Sequence, residues 1–245
     1  MSASTPNQTL RAMPREMRMM SERILSMTGL PKGVFLLVPD LVMYSQRLGL
    51  GGFALLETRF DAFCEARPEA VSIVSEKDGS LYLGGSGQHA WLVLPAVIDL
   101  LGELADRFGQ AEVSVSDVVD AAELKVAEAF GCRSGLSVTV TTDGAEVVLR
   151  AARRPLCGDE RSDDPLLWDL LENGIGVDAE LWWRIYYMAK KALAPDSVVS
   201  RRHAGPMIVT NDGTVIGRKD NDDETDVSFL TAPRPTETRT ESTNS

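Results

Sequence analysis

Three times in this chain a β-branched run breaks at Asp-Gly and then resumes. The first instance spans Val71 to Leu83 around Asp78-Gly79, the second Ser137 to Leu149 around Asp143-Gly144, and the third Met207 to Gly217 around Asp212-Gly213. Asp-Gly supplies the two consecutive positive-φ positions of a type I′ turn, whose twist matches that of the strands it joins. Each segment is therefore expected to form a β-hairpin, and hairpins build antiparallel sheet. The chemistry is common enough to arise three times without an internal repeat.

Between the hairpins the apolar spacing changes to a helical period. Val34 to Leu48 follows three-four spacing up to Gly49, with Pro39 inside it as a point of kinking or splitting. Further helices are expected over Phe53–Ala66, Pro95–Phe108 with Gly109 as its stop, Asp117–Phe130 ended by Gly131, Leu166–Glu172 before Gly174, and Asp178–Leu193. His89 to Leu94 has the composition of another strand. The expected class is α+β: antiparallel hairpin-built sheet packed with about six helices. Residues 1–16 are expected to form a disordered leader, and 231–245, Thr-rich and polar with almost nothing to bury, a disordered tail. The polar stretch Arg153–Asp164 reads as a surface loop or as the boundary between an N-terminal α+β lobe (17–152) and a C-terminal lobe (153–230) with the aromatic helix.

Charge narrows the partners. The 245 residues carry a net charge of −11, against nucleic acid, whose binding needs a basic surface, and against anionic lipid. No apolar stretch has the length of a membrane span, and the N-terminus lacks the apolar core of a secretory signal. Cys64, Cys132 and Cys157 are odd in number and unpaired in spacing, as in a reduced cytoplasmic protein.

The candidate site lies between Ala194 and Asp222. Pro195 ends the preceding helix, and the loop behind it carries Ser197, Ser200, Arg201, Arg202, His203 and Gly205. Arginine forks beside hydroxyls hold carboxylates and phosphates in paired hydrogen bonds, so the loop suits a small anionic molecule. The helix before it holds Trp182, Trp183, Tyr186 and Tyr187, an aromatic face that can wall a small substrate or meet a protein partner. In the site reading Ser197, Ser200, Arg201, Arg202 and Gly205 bind the substrate, and His203 or Asp222 acts as acid or base. In the bland reading the arginines pair with carboxylates of an acidic protein.

The segment Leu193-Ala-Pro-Asp-Ser197-Val-Val-Ser200-Arg201-Arg202-His-Ala-Gly205, with Asp220-Asn221-Asp222 after it, resembles the C-terminal signature of a proteobacterial family of unknown function. That signature reads Pro-x-Ser-x-x-Ser-Arg, then Ala-Gly, then Asp-Asn-Asp. Thr28-Gly29-Leu30-Pro31-Lys32-Gly33 and Gly49-Leu50-Gly51-Gly52 are similar to its opening. The chain departs from it at Val198-Val199, where the family has an acidic residue, and in the longer gap between Gly205 and Asp220. The resemblance implies a divergent member marked at Ser197, Ser200, Arg201, Gly205 and Asp220 to Asp222, and it implies no activity.

Other motifs carry less. Asp220 to Asp223 offers oxygen ligands without calcium-loop spacing, and His89 and His203 form no zinc pattern, so no metal site is expected. Gly84-Gly85-Ser86-Gly87 reads as a flexible loop, and Cys157 has no assignable base. No motif names a cofactor. Two functions remain: a small-metabolite enzyme with an anionic substrate, or a non-catalytic subunit docked through the Trp182/Trp183 helix.

Overall fold

The computed structural model describes residues 8–143 and 146–193, together with the backbone of the strand pairs at 208–209 and 215–216. The chain divides into two compact units, Met1–Leu193 and Ala194–Ser245.

All three hairpin pairings form. In the first unit β2 (Ser72–Lys77) pairs antiparallel with β3 (Ser80–His89), and β5 (Leu136–Asp143) with β6 (Glu146–Arg153). Lys77 faces Ser80 across a two-residue turn whose Asp78 and Gly79 both have positive φ (44° and 84°), as a type I′ turn requires. In the second unit β8 (Ile208–Val209) pairs antiparallel with β9 (Val215–Ile216).

The hairpins do not make the main sheet antiparallel. Its order is β2-β3-β4-β6-β5, and β4 (Gln110–Val119) runs parallel to β3. The expectation of a purely antiparallel sheet is therefore corrected to a mixed one. Turn chemistry fixes only the strands that a turn joins. Between β3 and β4 lies α5 (Ala90–Phe108), long enough to carry the chain back to the starting edge and re-enter in the same direction. β4 was readable: Ala111, Val113 and Val115 are buried and alternate with half-buried Glu112, Ser114 and Ser116.

Helices outnumber the six expected; nine occur among the described residues. α1 (Pro14–Leu25) begins inside the expected leader, and Phe53–Ala66 divides into α3 (Gly52–Thr58) and α4 (Phe60–Cys64). α2 (Lys32–Arg47) runs through Pro39 without splitting. Expected helix Asp117–Phe130 is instead the end of β4, a 3-10 turn over Ala121–Val126, and α6 (Ala127–Arg133). α7 (Glu160–Asp163) is a single turn, whereas α8 (Pro165–Asn173) and α9 (Ala179–Lys190) stand close to their expected places. His89 to Leu94 is no strand: His89 caps α5, whose first residues are buried on every side. Burial there outweighs the β-propensity of Trp91, Val93 and their neighbours.

The core lies between the sheet and α5, with α2 and α6 packed against the same helix. Trp91, Leu94, Val97 and Leu101 of α5 are fully buried, as are Val113 of β4 and Leu149 of β6. A second sheet joins β1 (Thr9–Ala12) to β7 (Ile175–Asp178), so residues from the expected leader pair with residues near the end of the unit. Contacts also cross the boundary expected near residue 153. Tyr44 bonds Asp164, Arg47 bonds Asp169 (2.7 Å), and Arg184 bonds Glu57 (2.9 Å).

Candidate functional site

The C-terminal ends of the parallel strands collect most of the unit's unusual chemistry. Where a helix connects two parallel strands, its N-terminus and the strand ends enclose a crevice suited to ligands. Here His89 ends β3, pairs with Val119 at the end of β4, and is also the N-cap of α5.

His89 is set by its neighbours. Nδ1 accepts a hydrogen bond from the Trp91 amide (3.1 Å), so the proton of the neutral ring sits on Nε2. Nε2 lies 3.3 Å from Asp120 Oδ2 but out of line, and it has no hydrogen-bond partner. Burial pulls the imidazole pKa down to about 4; Asp120 opposes that shift and Arg59 reinforces it. At neutral pH His89 is therefore an uncharged N–H donor. Phe63 and Trp91 enclose the ring, with centroids at 5.0 Å and 4.6 Å.

Asp120 is fixed from the other side. Arg59 grips it with Nε at 2.7 Å and Nη2 at 3.0 Å, a paired fork. Asp120 occupies the left-handed region (φ 53°), as do Asp117 (52°) and Ser86 (51°) nearby. For non-glycine residues that conformation costs energy, and it concentrates at functional sites. Behind His89, Glu123 is buried and accepts from Trp91 Nε1 (2.9 Å) and the Gly51 amide (2.7 Å). A Cβ at Gly51 would stand 2.8 Å from that carboxylate, so the amide reaches it only because the residue is glycine. A cavity of about 220 Å³ adjoins His89, bordered by Glu65, Gly87, Gln88 and Val119.

This centre can offer a neutral N–H donor and a carboxylate held by an arginine. It cannot take a proton at neutral pH, because Nδ1 is engaged and the ring's pKa is low. Among the described residues no cluster of three or more His, Cys, Asp or Glu could hold a metal ion.

The residues singled out from the sequence fall elsewhere. Ser197, Ser200, Arg201, Arg202, His203, Gly205 and Asp222 lie outside the described residues. Of the aromatic helix, Trp182 packs on Phe53 (6.1 Å) while Trp183 is 49% exposed and Tyr187 61%. Gly84 to Gly87 belongs to β3 and is not a free loop. Cys157 is exposed, and its amide donates to Asp163 (2.8 Å). His89, Arg59, Asp120 and Glu123 were not read as a site. They come from three separate stretches of chain, with Asp120 and Glu123 sharing one 3-10 turn, and the one local signal was a lone histidine beside a long apolar helix.

No family model matches the chain, and no curated protein is similar to it. Solved structures are. A dehydrogenase from Sinorhizobium meliloti shares 10% identity at a TM-score of 0.56, over 74% of this chain and 100% of that one. A putative malate/lactate dehydrogenase from E. coli shares 9% at 0.54, over 78% of this chain and 98% of that one. For a malate dehydrogenase from Entamoeba histolytica the figures are 15% and 0.43, and the chain spans 38% of its length. At such identities the likeness concerns the fold, and the fold of this chain is like that of the first two dehydrogenases.

Proposed function

We propose that this chain is a small-metabolite enzyme whose carboxylated or similarly anionic substrate is held by the Ser-Arg-Arg loop. Arg201 and Arg202 would grip the anion, Ser197 and Ser200 would donate to it, and Gly205 would let the backbone approach. His203 or Asp222 would move the proton. The observation that best supports an enzyme is the His89–Asp120–Arg59 group at the ends of a parallel strand pair. The fold is also like that of a protein described as a putative malate/lactate dehydrogenase from E. coli, and malate and lactate are small carboxylates.

The test is thermal shift and calorimetry on wild type and Arg201→Ala with malate, lactate and inorganic phosphate. A ligand at a hundred times its Kd should stabilise the wild type by about 2.7 kcal/mol. Arg201→Ala should abolish that gain, while His203→Asn or Asp222→Asn should bind and fail to turn over. Equal binding by Arg201→Ala, or no stabilisation of the wild type by any of the three, would refute the reading.

A second reading, a non-catalytic subunit, is favoured by the exposed Trp183 and Tyr187. It predicts a stoichiometric partner that is lost on Trp183→Ala. Trp182 is the poorer probe, because it packs on the buried Phe53.

A further inference from the structure

A cavity of about 570 Å³ opens between the last turns of α9, the α3–α4 segment and Met27, just beyond α1. Its apolar wall is Met27, Phe60, Met188 and the ring of Tyr187. Four charged side chains surround that wall. Two are spoken for, because Arg184 Nε contacts both carboxylate oxygens of Glu57 at 2.9 Å and 3.1 Å. The other two, Asp61 and Lys191, make no ion pair among the described residues. The pocket thus presents one uncommitted anion and one uncommitted cation around an apolar surface, at a volume typical of small-molecule sites.

We propose that this pocket binds an α-amino acid with an apolar side chain. The carboxylate goes to Lys191, the ammonium group to Asp61, and the side chain lies against the methionines and aromatic rings. The charges select this class. With Glu57 and Arg184 neutralising each other, a simple anion would gain Lys191 but meet the Asp61 carboxylate, and a simple cation would gain Asp61 but meet Lys191. A zwitterion satisfies both uncommitted groups with charge-assisted hydrogen bonds. Two methionines, flexible and polarizable, adapt to branched or aromatic side chains alike. The site uses no residue of the Ser-Arg-Arg loop and does not rest on the enzyme reading above, though it shares Tyr187 with the aromatic face of the second reading.

Isothermal titration of the full chain with L-phenylalanine, L-leucine and L-methionine tests it, with phenylacetate and phenethylamine as single-charge controls. At least one amino acid should bind at a single saturable site, with each control roughly tenfold weaker or worse. Lys191→Ala and Asp61→Asn, both at exposed positions, should each weaken the amino acid by about tenfold, and Arg201→Ala should leave it unchanged. The proposal is overturned if none of the three amino acids binds, or if a control binds as tightly. It is equally overturned if Lys191→Ala or Asp61→Asn leaves the affinity intact, or if Arg201→Ala abolishes it.

Discussion

Replacing Tyr44 by Phe removes one oxygen from the interior and leaves the ring in place. The side chain is fully buried, edge-on to Phe130 at 5.8 Å, and its hydroxyl donates a short hydrogen bond to Asp164. Asp164 is itself buried, and its other oxygen accepts from the Leu167 amide (3.0 Å) to cap α8. The variant strips a donor from a buried carboxylate, a loss of about 1.5–3 kcal/mol. For a unit of this size that lowers Tm by roughly 3–12 °C. The effect should also depend on pH. Burial, helped by the Asp164 carboxylate beside it, keeps the Tyr44 phenol protonated far above its ordinary range. The unfolded chain releases that proton near pH 10 and the folded chain keeps it, so the stability Tyr44 contributes is full below pH 10 and declines above it. At pH 11 the decline reaches about 1.4 kcal/mol, and a deficit of about 2 kcal/mol at pH 7 should shrink to roughly 0.6. Urea denaturation of both proteins at pH 7 and pH 11, followed by far-UV circular dichroism, reads both numbers. A deficit under about 0.5 kcal/mol at pH 7 would refute the hydrogen-bond argument. A deficit equal at the two pH values would refute the titration argument.

Two other substitutions probe the strand ends. His89 has a pKa of about 4 in the folded chain and an ordinary one when unfolded, so the wild type should lose about 2–3 kcal/mol between pH 7 and pH 4.5 as the unfolded chain takes up the proton. His89→Asn keeps a capping oxygen and should escape that loss, which urea midpoints at the two pH values would show. Gly85→Ala would place a methyl 2.6 Å from the Asp117 carbonyl and against Val118, where β3 and β4 approach; about 1–3 kcal/mol of stability should go, read as a lower Tm.

Local chemistry was legible and tertiary chemistry was not. The Asp-Gly turns announced their hairpins, Gly109 announced the end of α5 with a left-handed φ of 79°, and Asp178 at the N-cap of α9 accepts from Leu181 (3.0 Å). These signals act within a few residues. β4 was missed because Asp117, at the head of the expected helix, looks like a helix cap in sequence, whereas the fold places it in the left-handed region near the end of a strand. The β1–β7 pair unites residues such as Leu10 and Val177, and nothing local points from one to the other. The candidate site was opaque for the same reason, since Arg59 and Asp120 meet only after α5 has returned the chain beside β3.

The two buried polar centres of the first unit differ in completeness, and that difference bears on function. Asp40 is gripped by Arg18 (2.6 Å) and Arg133 (2.9 Å), while Asp164 is held by Tyr44 and the Leu167 amide. Each group there has partners from a neighbouring element, so helix packing accounts for it without a ligand. At His89 the same accounting fails. Its Nε2 finds no hydrogen-bond partner among the described side chains, although Asp120 Oδ2 stands 3.3 Å away. Ser21 Oγ and Trp168 Nε1 are also buried without partners, so an orphaned donor does not by itself mark a site. At His89 more is gathered: its ring is pinned by Trp91 at one nitrogen, an aspartate in a strained backbone conformation stands 3.3 Å from the other, and a cavity adjoins it. Strained backbone, a buried imidazole and a cavity therefore meet at one strand end. That convergence makes the paired ends of β3 and β4 the first place in this unit to look for chemistry.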